Sequence, residues 1–233
     1  CALPIFDVYN PETDPYIKRQ YSVANARAGK RENKDALRAE LGLRIKRGVP
    51  LIAMVTRLVE DKGLDLVMRI MDELVDDDVQ LVLVGTGDAG YENAFRELAR
   101  RHPTKVSANI TFNEALAHKV YAAADMFLMP SRYEPCGLSQ LIALRYGAIP
   151  IVRETGGLKD TVHPFDKYSK QGNGLTFPNF NAHELLFTTK RAMGYYEDTA
   201  LWDILVRNAM TSDYSWDRSA EAYLNLYKKV LQQ

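Results

Sequence analysis

Six short apolar runs punctuate the middle of the chain: Leu51–Arg57, Val79–Gly85, Val106–Ile110, Met126–Ser131, Ile149–Glu154 and Leu175–Pro178. Each has the length of a strand. Between most of them, apolar positions recur at helical spacing. Leu64–Val75 reads as a helix, as does Tyr91–Arg101 after Asp88 as N-cap. Asn113 caps a helix over Glu114–Ala124, and Gly137–Tyr146 stops at Gly147. Asp and Asn start helices because their side chains accept an otherwise unpaired amide hydrogen, whereas Gly ends them by turning left-handed without a Cβ clash. Strands alternating with helices predict an α/β fold, a Rossmann-like parallel sheet with helices on both faces. Ligands of such sheets bind beyond the carboxyl ends of the strands. The loops after Arg57, Gly85, Ile110, Ser131 and Glu154 therefore belong to the ligand edge, and Asp76–Asp78 to the opposite one.

The flanks differ. Residues 7–48 are polar, broken by Asn10-Pro11 and Asp14-Pro15, with one short helix over Asn33–Leu41. From Asn181 to Gln233 the pattern reads as three helices, a helical C-terminal tail whose last member carries Trp216, Tyr223, Leu226, Tyr227 and Val230 on one face. These shifts divide the chain into an irregular linking segment (1–48), the Rossmann-like unit (49–195) and the C-terminal helices (196–233).

Composition narrows the functions. A chain of 233 residues with 46% hydrophobic side chains can bury a sizeable core. Lys plus Arg equals Asp plus Glu, 30 each, so no global field draws nucleic acid or an anionic membrane, and an anion site must be local. No apolar run is long enough to span a bilayer. The start, CALPIF, has no basic n-region and no Met, and the chain reads as part of something longer. Cys1 and Cys136 are the two cysteines. With one at the extreme end, a structural disulfide is not expected, nor is a lipid anchor on Cys1, and a reducing, cytoplasmic setting is. His102, His118, His163 and His183 lack ligand spacing, and Asp76-Asp77-Asp78 falls on the wrong edge, so no bound metal is expected.

Candidate chemistry gathers on the ligand edge. In PSRYEPCGLSQLIALRYGAIPIVRETGGLKD, Glu134 precedes Gly137, which opens a helix. The free amides of a helix start, with their partial positive charge, form a seat for phosphate. In TRLVEDKGLDL, Arg57 ends a strand and Lys62 lies five residues on, so two cations can hold a diphosphate and offset the charge that appears as it leaves. Gly85-Thr86-Gly87-Asp88 lacks the third glycine spacing of a dinucleotide fingerprint and reads as a tight turn. Thr155-Gly156-Gly157 could offer amides to a sugar or phosphate, or serve as a plain strand-to-helix turn. Phe112, read at the end of a short strand, could stack on a base or fill the core.

SRYEPCGLSQLIALRYGAIPIVRETGGLKDTV resembles the C-terminal domain of bacterial glycogen synthases and plant starch synthases. TRLVEDKGLDL and DVYNPETDPYI resemble two further stretches of that family, so the likeness runs over about residues 7–233. The resemblance implies a GT-B architecture, in which two Rossmann-like domains face each other across a cleft and this one binds ADP-glucose. It implies transfer of glucose to the 4-hydroxyl of an α-1,4-glucan end, with retention at the anomeric carbon and with neither metal nor cofactor. By position it assigns Arg57 and Lys62 to the diphosphate and the amides of Leu138 and Ser139 to phosphate. Glu134, with its neighbours Cys136 and Gly137, falls near the donor sugar, Phe112 on adenine, and Thr155, Gly156 and Gly157 near the donor glucose. Wider relatives place a second acid eight residues after the first, where this chain has Ile142; the synthases share that difference. Residues 1–6 do not match the Asn-Gly-Ile-Asp expected ahead of DVYNP. The family's N-terminal domain, with its Lys-Thr-Gly-Gly-Leu loop, catalytic histidine and most glucan contacts, has no counterpart here, and the last helix is expected to cross back towards it. The alternatives are a nucleotide-sugar-binding fragment without catalysis and a different GT-B enzyme using a UDP-sugar.

Overall fold

In a computed structural model, which describes residues 5–231, the chain folds around one parallel sheet. Its helices and strands follow in the order α1 (Ile5–Val8), α2 (Ala26–Glu40), β1 (Leu51–Val55), α3 (Leu64–Asp76), β2 (Gln80–Val84), α4 (Ala89–Arg101), β3 (Val106–Asn109) and α5 (Glu114–Ala123). Then come β4 (Met126–Met129), α6 (Ser139–Arg145), β5 (Ile149–Arg153), α7 (Gly156–Thr161), β6 (Leu175–Phe177), α8 (Ala182–Glu197), α9 (Thr199–Met210) and α10 (Trp216–Leu231). The strands lie side by side as β3-β2-β1-β4-β5-β6, all pairs parallel. The chain runs outward from β1 to β3, returns to the middle at β4, and runs outward the other way to β6. Right-handed crossovers then put α3 and α4 on one face and α5 and α6 on the other. Five of the six strands are buried along most of their length, which explains their apolar character, whereas edge strand β3 buries only Val106 and carries Ser107 and Asn109.

Helix ends follow local chemistry. Asn113 Oδ1 accepts the Leu116 amide at the start of α5. Gly147, at φ +64°, closes α6 with its N–H on Leu144 O, while the Ala148 N–H reaches back to Ala143 O, a Schellman cap. Asp88 departs from expectation: it precedes α4 in extended conformation, but its side chain caps no amide. Glu92 instead ties the turn ahead of the helix, its Oε1 accepting the Gly87 N–H at 3.0 Å.

The polar N-terminal segment departs further. Its helix is not a short piece from Asn33 but begins at Ala26. The face that α2 buries carries Lys30, Lys34 and Arg38, all under 7% exposed. Lys34 Nζ pairs with Asp125 at 2.7 Å, and the same carboxylate oxygen accepts the Leu51 N–H at 2.7 Å. Arg38 donates to Gln80 Oε1, Val49 O and Lys46 O. Lys30 Nζ donates to Ala122 O in the last turn of α5 and to Tyr146 O at the end of α6. Cationic groups suit those positions, because unpaired carbonyls make a helix C-terminus negative. Nearby, Asp14 accepts from Tyr146 Oη at 2.5 Å and lies 2.8 Å from His118 Nδ1, and Tyr9 stacks on the His118 ring. Those hydrogen bonds hold the Asp14 carboxyl below its usual range against the opposing pull of burial. Cys1 lies outside the described residues.

Candidate functional site

The strand order makes the β1/β4 boundary the switch point of the sheet, where the crossovers diverge and where ligands of such sheets bind, beyond the carboxyl ends. The two loops that leave these strands are residues 56–63 and 130–138. They hold Arg57, Lys62 and Glu134, the two cations and the carboxylate singled out from the sequence. Across the rim the predicted residues follow the strand order: Phe112 beyond β3, the Gly85–Asp88 turn beyond β2, Arg57 and Lys62 beyond β1, Glu134 to Ser139 beyond β4, and Thr155 to Gly157 beyond β5.

At the centre, Lys62 Nζ donates to Glu134 Oε2 at 2.6 Å. Both side chains are mostly shielded, 19% and 11% exposed. The Ser131 hydroxyl donates to the same Oε2 at 3.2 Å, while Oε1 takes no hydrogen bond from any described residue. Two backbone features hold the loops together. The Arg132 N–H donates to Asp61 O at 2.8 Å. Gly63, at φ +71°, lies so close to Pro130 that a Cβ would sit 2.1 Å from Pro130 O. Only glycine tolerates both the left-handed turn and that approach. Arg153, at the end of β5, braces the second loop from the far side, its Nε–H on Ser131 O at 2.9 Å and its guanidinium also on Arg132 O. The Arg132 guanidinium stacks over Phe180 at 4.3 Å.

Arg57 lies on the same rim but not in the pair. It is exposed, and among the described residues its guanidinium makes neither an ion pair nor a hydrogen bond. Its neighbours are fixed: the Thr56 N–H donates to Val84 O and the Leu58 N–H to Thr86 O, while Gly85 and Gly87 pack against Thr56 O and Leu58 O. The Gly85-Thr86-Gly87 turn thus uses its glycines to meet the neighbouring loop.

Thr155-Gly156-Gly157 does the same on the other side. A Cβ on Gly156 would stand 2.2 Å from Glu134 O, and one on Gly157 2.0 Å from Cys136 O. The Gly157 N–H donates to Glu134 O at 3.0 Å and the Thr155 N–H to Arg153 O at 2.9 Å. Two of the three amides expected to face a ligand are therefore engaged with the chain. These glycines let the β5 loop lock the main chain of the Glu134 loop, and Thr155 is the strand-to-helix turn that opens α7.

The helix after Glu134 starts at Ser139, two residues later than the pattern suggested, with Gly137 at φ +74° leading in. Among the described residues no acceptor takes the amides of Leu138 or Ser139. Gln140, fully buried, ties the turn by donating to Cys136 O, Gly137 O and Thr161 Oγ1. Cys136 is a free, exposed thiol. Phe112 does not end a strand: β3 closes at Asn109, and the ring stands in the following loop, 94% exposed. That exposure excludes the core alternative.

Ser131, Arg153 and Asp61 were not singled out from the sequence. Arg153 and Asp61 act on partners far along the chain, such as Arg153 on Ser131, 22 residues away, and local patterning carries no signal for such pairs. Ser131 reaches Glu134 within its own loop, three residues on.

Comparison with known proteins places these features among relatives. The family model for glycosyl transferases group 1 matches residues 35–193. A glycogen synthase of Bacillus cereus (strain B4264) is 55% identical over 225 residues, 97% of this chain and 47% of that protein. One of Clostridium beijerinckii is 53% identical over 228 residues, 98% of this chain and 47% of its own length. The catalytic domain of starch synthase IV from Arabidopsis thaliana, bound to ADP and acarbose, superposes with a TM-score of 0.87 at 37% identity. That match covers 98% of this chain and 48% of the other. The chain spans about half the length of the curated relatives it matches.

Proposed function

Since the chain belongs to the group 1 glycosyl transferases, we propose that it is the donor-binding half of a glycogen synthase. The complete enzyme transfers glucose from ADP-glucose to the 4-hydroxyl of an α-1,4-glucan with retention. Identity of 55% to a glycogen synthase supports this reading, as does likeness to a starch synthase domain that binds ADP and acarbose. The observation that carries it is the Lys62–Glu134 pair at the switch point, held by two loops whose backbones interlock.

The roles follow from charge and place. Lys62 and the exposed Arg57 meet the diphosphate, and the unpartnered amides of Leu138 and Ser139 add hydrogen bonds to a phosphate oxygen. As the bond from the anomeric carbon to the diphosphate breaks, negative charge grows on the leaving group and positive charge on the sugar. The cations favour the first and the Glu134 carboxylate the second, and both are preorganised before substrate arrives. The acceptor oxygen attacks from the side the leaving group vacates and gives its proton to the departing phosphate oxygen, which preserves configuration. Phe112, fully in solvent at the rim, is placed to stack on the adenine, a contact that grows with the flat area removed from water. Cys136 and Gly137 shape the floor beneath the donor sugar, and Gly156 and Gly157 hold that floor in place.

Lys62→Ala in the complete enzyme tests this reading. Glu134 keeps the Ser131 hydroxyl, so the fold survives, while transfer from ADP-glucose falls by about 10²–10³. Glucan-extension rates beside thermal unfolding check the outcome, and near-normal turnover in the variant rejects the assignment. Stronger inhibition by UDP than by ADP in the same assay redirects the donor to a UDP-sugar.

A further inference from the structure

Because its hydroxyl shares one carboxylate oxygen with the Lys62 ammonium, we propose that Ser131 is the positioning residue that holds Glu134 in register once the donor has drawn Lys62 away. The inference rests on the donor-site reading above and goes beyond it, since Ser131 touches neither sugar nor phosphate.

Glu134 Oε2 has two donors of different kinds. Lys62 reaches it at 2.6 Å on a long, partly exposed chain that can swing. Ser131 reaches it at 3.2 Å from a side chain that is 1% exposed. Its main chain is pinned: Arg153 Nε–H holds Ser131 O at 2.9 Å, and Gly63 packs on the carbonyl of the preceding Pro130. A diphosphate offers an ammonium group more negative charge than one carboxylate does, so an arriving donor competes for Lys62. Ser131 has nowhere to go. When Lys62 turns to the phosphates, Ser131 is the remaining described donor to Oε2, and Oε1 stays open towards the sugar. A shielded carboxylate with neither donor would rotate off its line to the anomeric carbon or draw water into the site, and either change weakens its hold on developing positive charge.

The test uses the complete enzyme with Ser131→Ala and Ser131→Cys. The second variant fills the space of the hydroxyl but donates weakly. Loss of one hydrogen bond to a charged group predicts a fall in kcat of about tenfold to a hundredfold in both variants. ADP affinity by calorimetry stays within about twofold of wild type, because the phosphate contacts are intact. Turnover of Ser131→Ala within about twofold of wild type overturns the inference. So does full activity in Ser131→Cys, which would mean the side chain only fills space. ADP affinity falling in step with kcat overturns it too, since that marks collapse of the loop. A wild-type enzyme that extends no glucan overturns the transferase reading itself, and this inference with it.

Discussion

Lys30 carries its ammonium group to a place water does not reach, between the carbonyl ends of two helices. It donates to Ala122 O and Tyr146 O and lies 5.9 Å from the centre of the Tyr21 ring. Burial, opposed in part by Asp125 and aided by Lys34, pushes its pKa from 10.5 down to about 7. The folded chain therefore gives up this proton more readily than the unfolded chain. Below about pH 7 both states are protonated, and the cost of a buried charge is borne in full. Between about 7 and 10.5 the unfolded state binds the extra proton, so this residue's contribution to stability rises with pH. Lys30→Met removes the titration, while Tyr21 Oη still serves Tyr146 O at 2.8 Å. Wild type should gain on the variant in unfolding free energy, read from urea titrations, between about pH 6 and pH 9, by an amount on the order of a few kcal/mol. Parallel free energies across that range would show that the ammonium is solvated after all. Other groups titrate alike in both proteins and cancel in the difference.

At the scale of elements, α10 stands apart. Trp216, Tyr223, Leu224, Leu226, Tyr227, Val230 and Leu231 are each more than half exposed, and Tyr223 and Tyr227 touch each other one turn apart rather than the core. An exposed apolar strip on a helix is an association site or a liability. The isolated 233-residue chain should self-associate as concentration rises, and Tyr227→Glu with Val230→Glu should return it to monomer without lowering its unfolding midpoint. Sedimentation checks this: a parent chain that stays monomeric, or a double variant that unfolds earlier, contradicts it. The exposure of this strip was expected from the family resemblance, whereas the strands were legible from their apolar runs, most plainly the covered ones such as β1, β2 and β4. The helix α2 was under-read for the opposite reason. Its buried face is Lys30, Lys34 and Arg38, and a pattern reader assigns such residues to water. The short α7 has too few turns for periodicity to show. Lys62 and Glu134 could be brought to one edge by the carboxyl-end rule, but their direct contact across 72 residues depends on the strand order, which no local pattern encodes.

On the proposed reading, the sheet carries the donor edge and one side of a catalytic cleft. Everything argued to meet the nucleotide and the phosphates lies on loops of this one sheet, and the sheet's core closes without help, with its central strands buried end to end. Binding of the donor should therefore survive in this chain alone. Transfer should not. A glucan must be held with its 4-hydroxyl close to the anomeric carbon, and most of the advantage of an enzyme over solution comes from that placement. The chain spans about half the length of its curated glycogen synthase relatives, and on the proposed reading the acceptor contacts lie outside this sheet. The expected result is a calorimetric signal with ADP and with ADP-glucose, weaker than in the complete enzyme, beside no measurable glucan extension. On the proposed role of Lys62 at the diphosphate, Lys62→Ala should weaken the signal with ADP, whether or not chemistry follows. Extension by the isolated chain would mean that the acceptor contacts lie on this sheet after all. Absence of any nucleotide signal, with the chain folded, would mean that the Lys62–Glu134 pair is a structural clamp between two loops and not a donor site at rest.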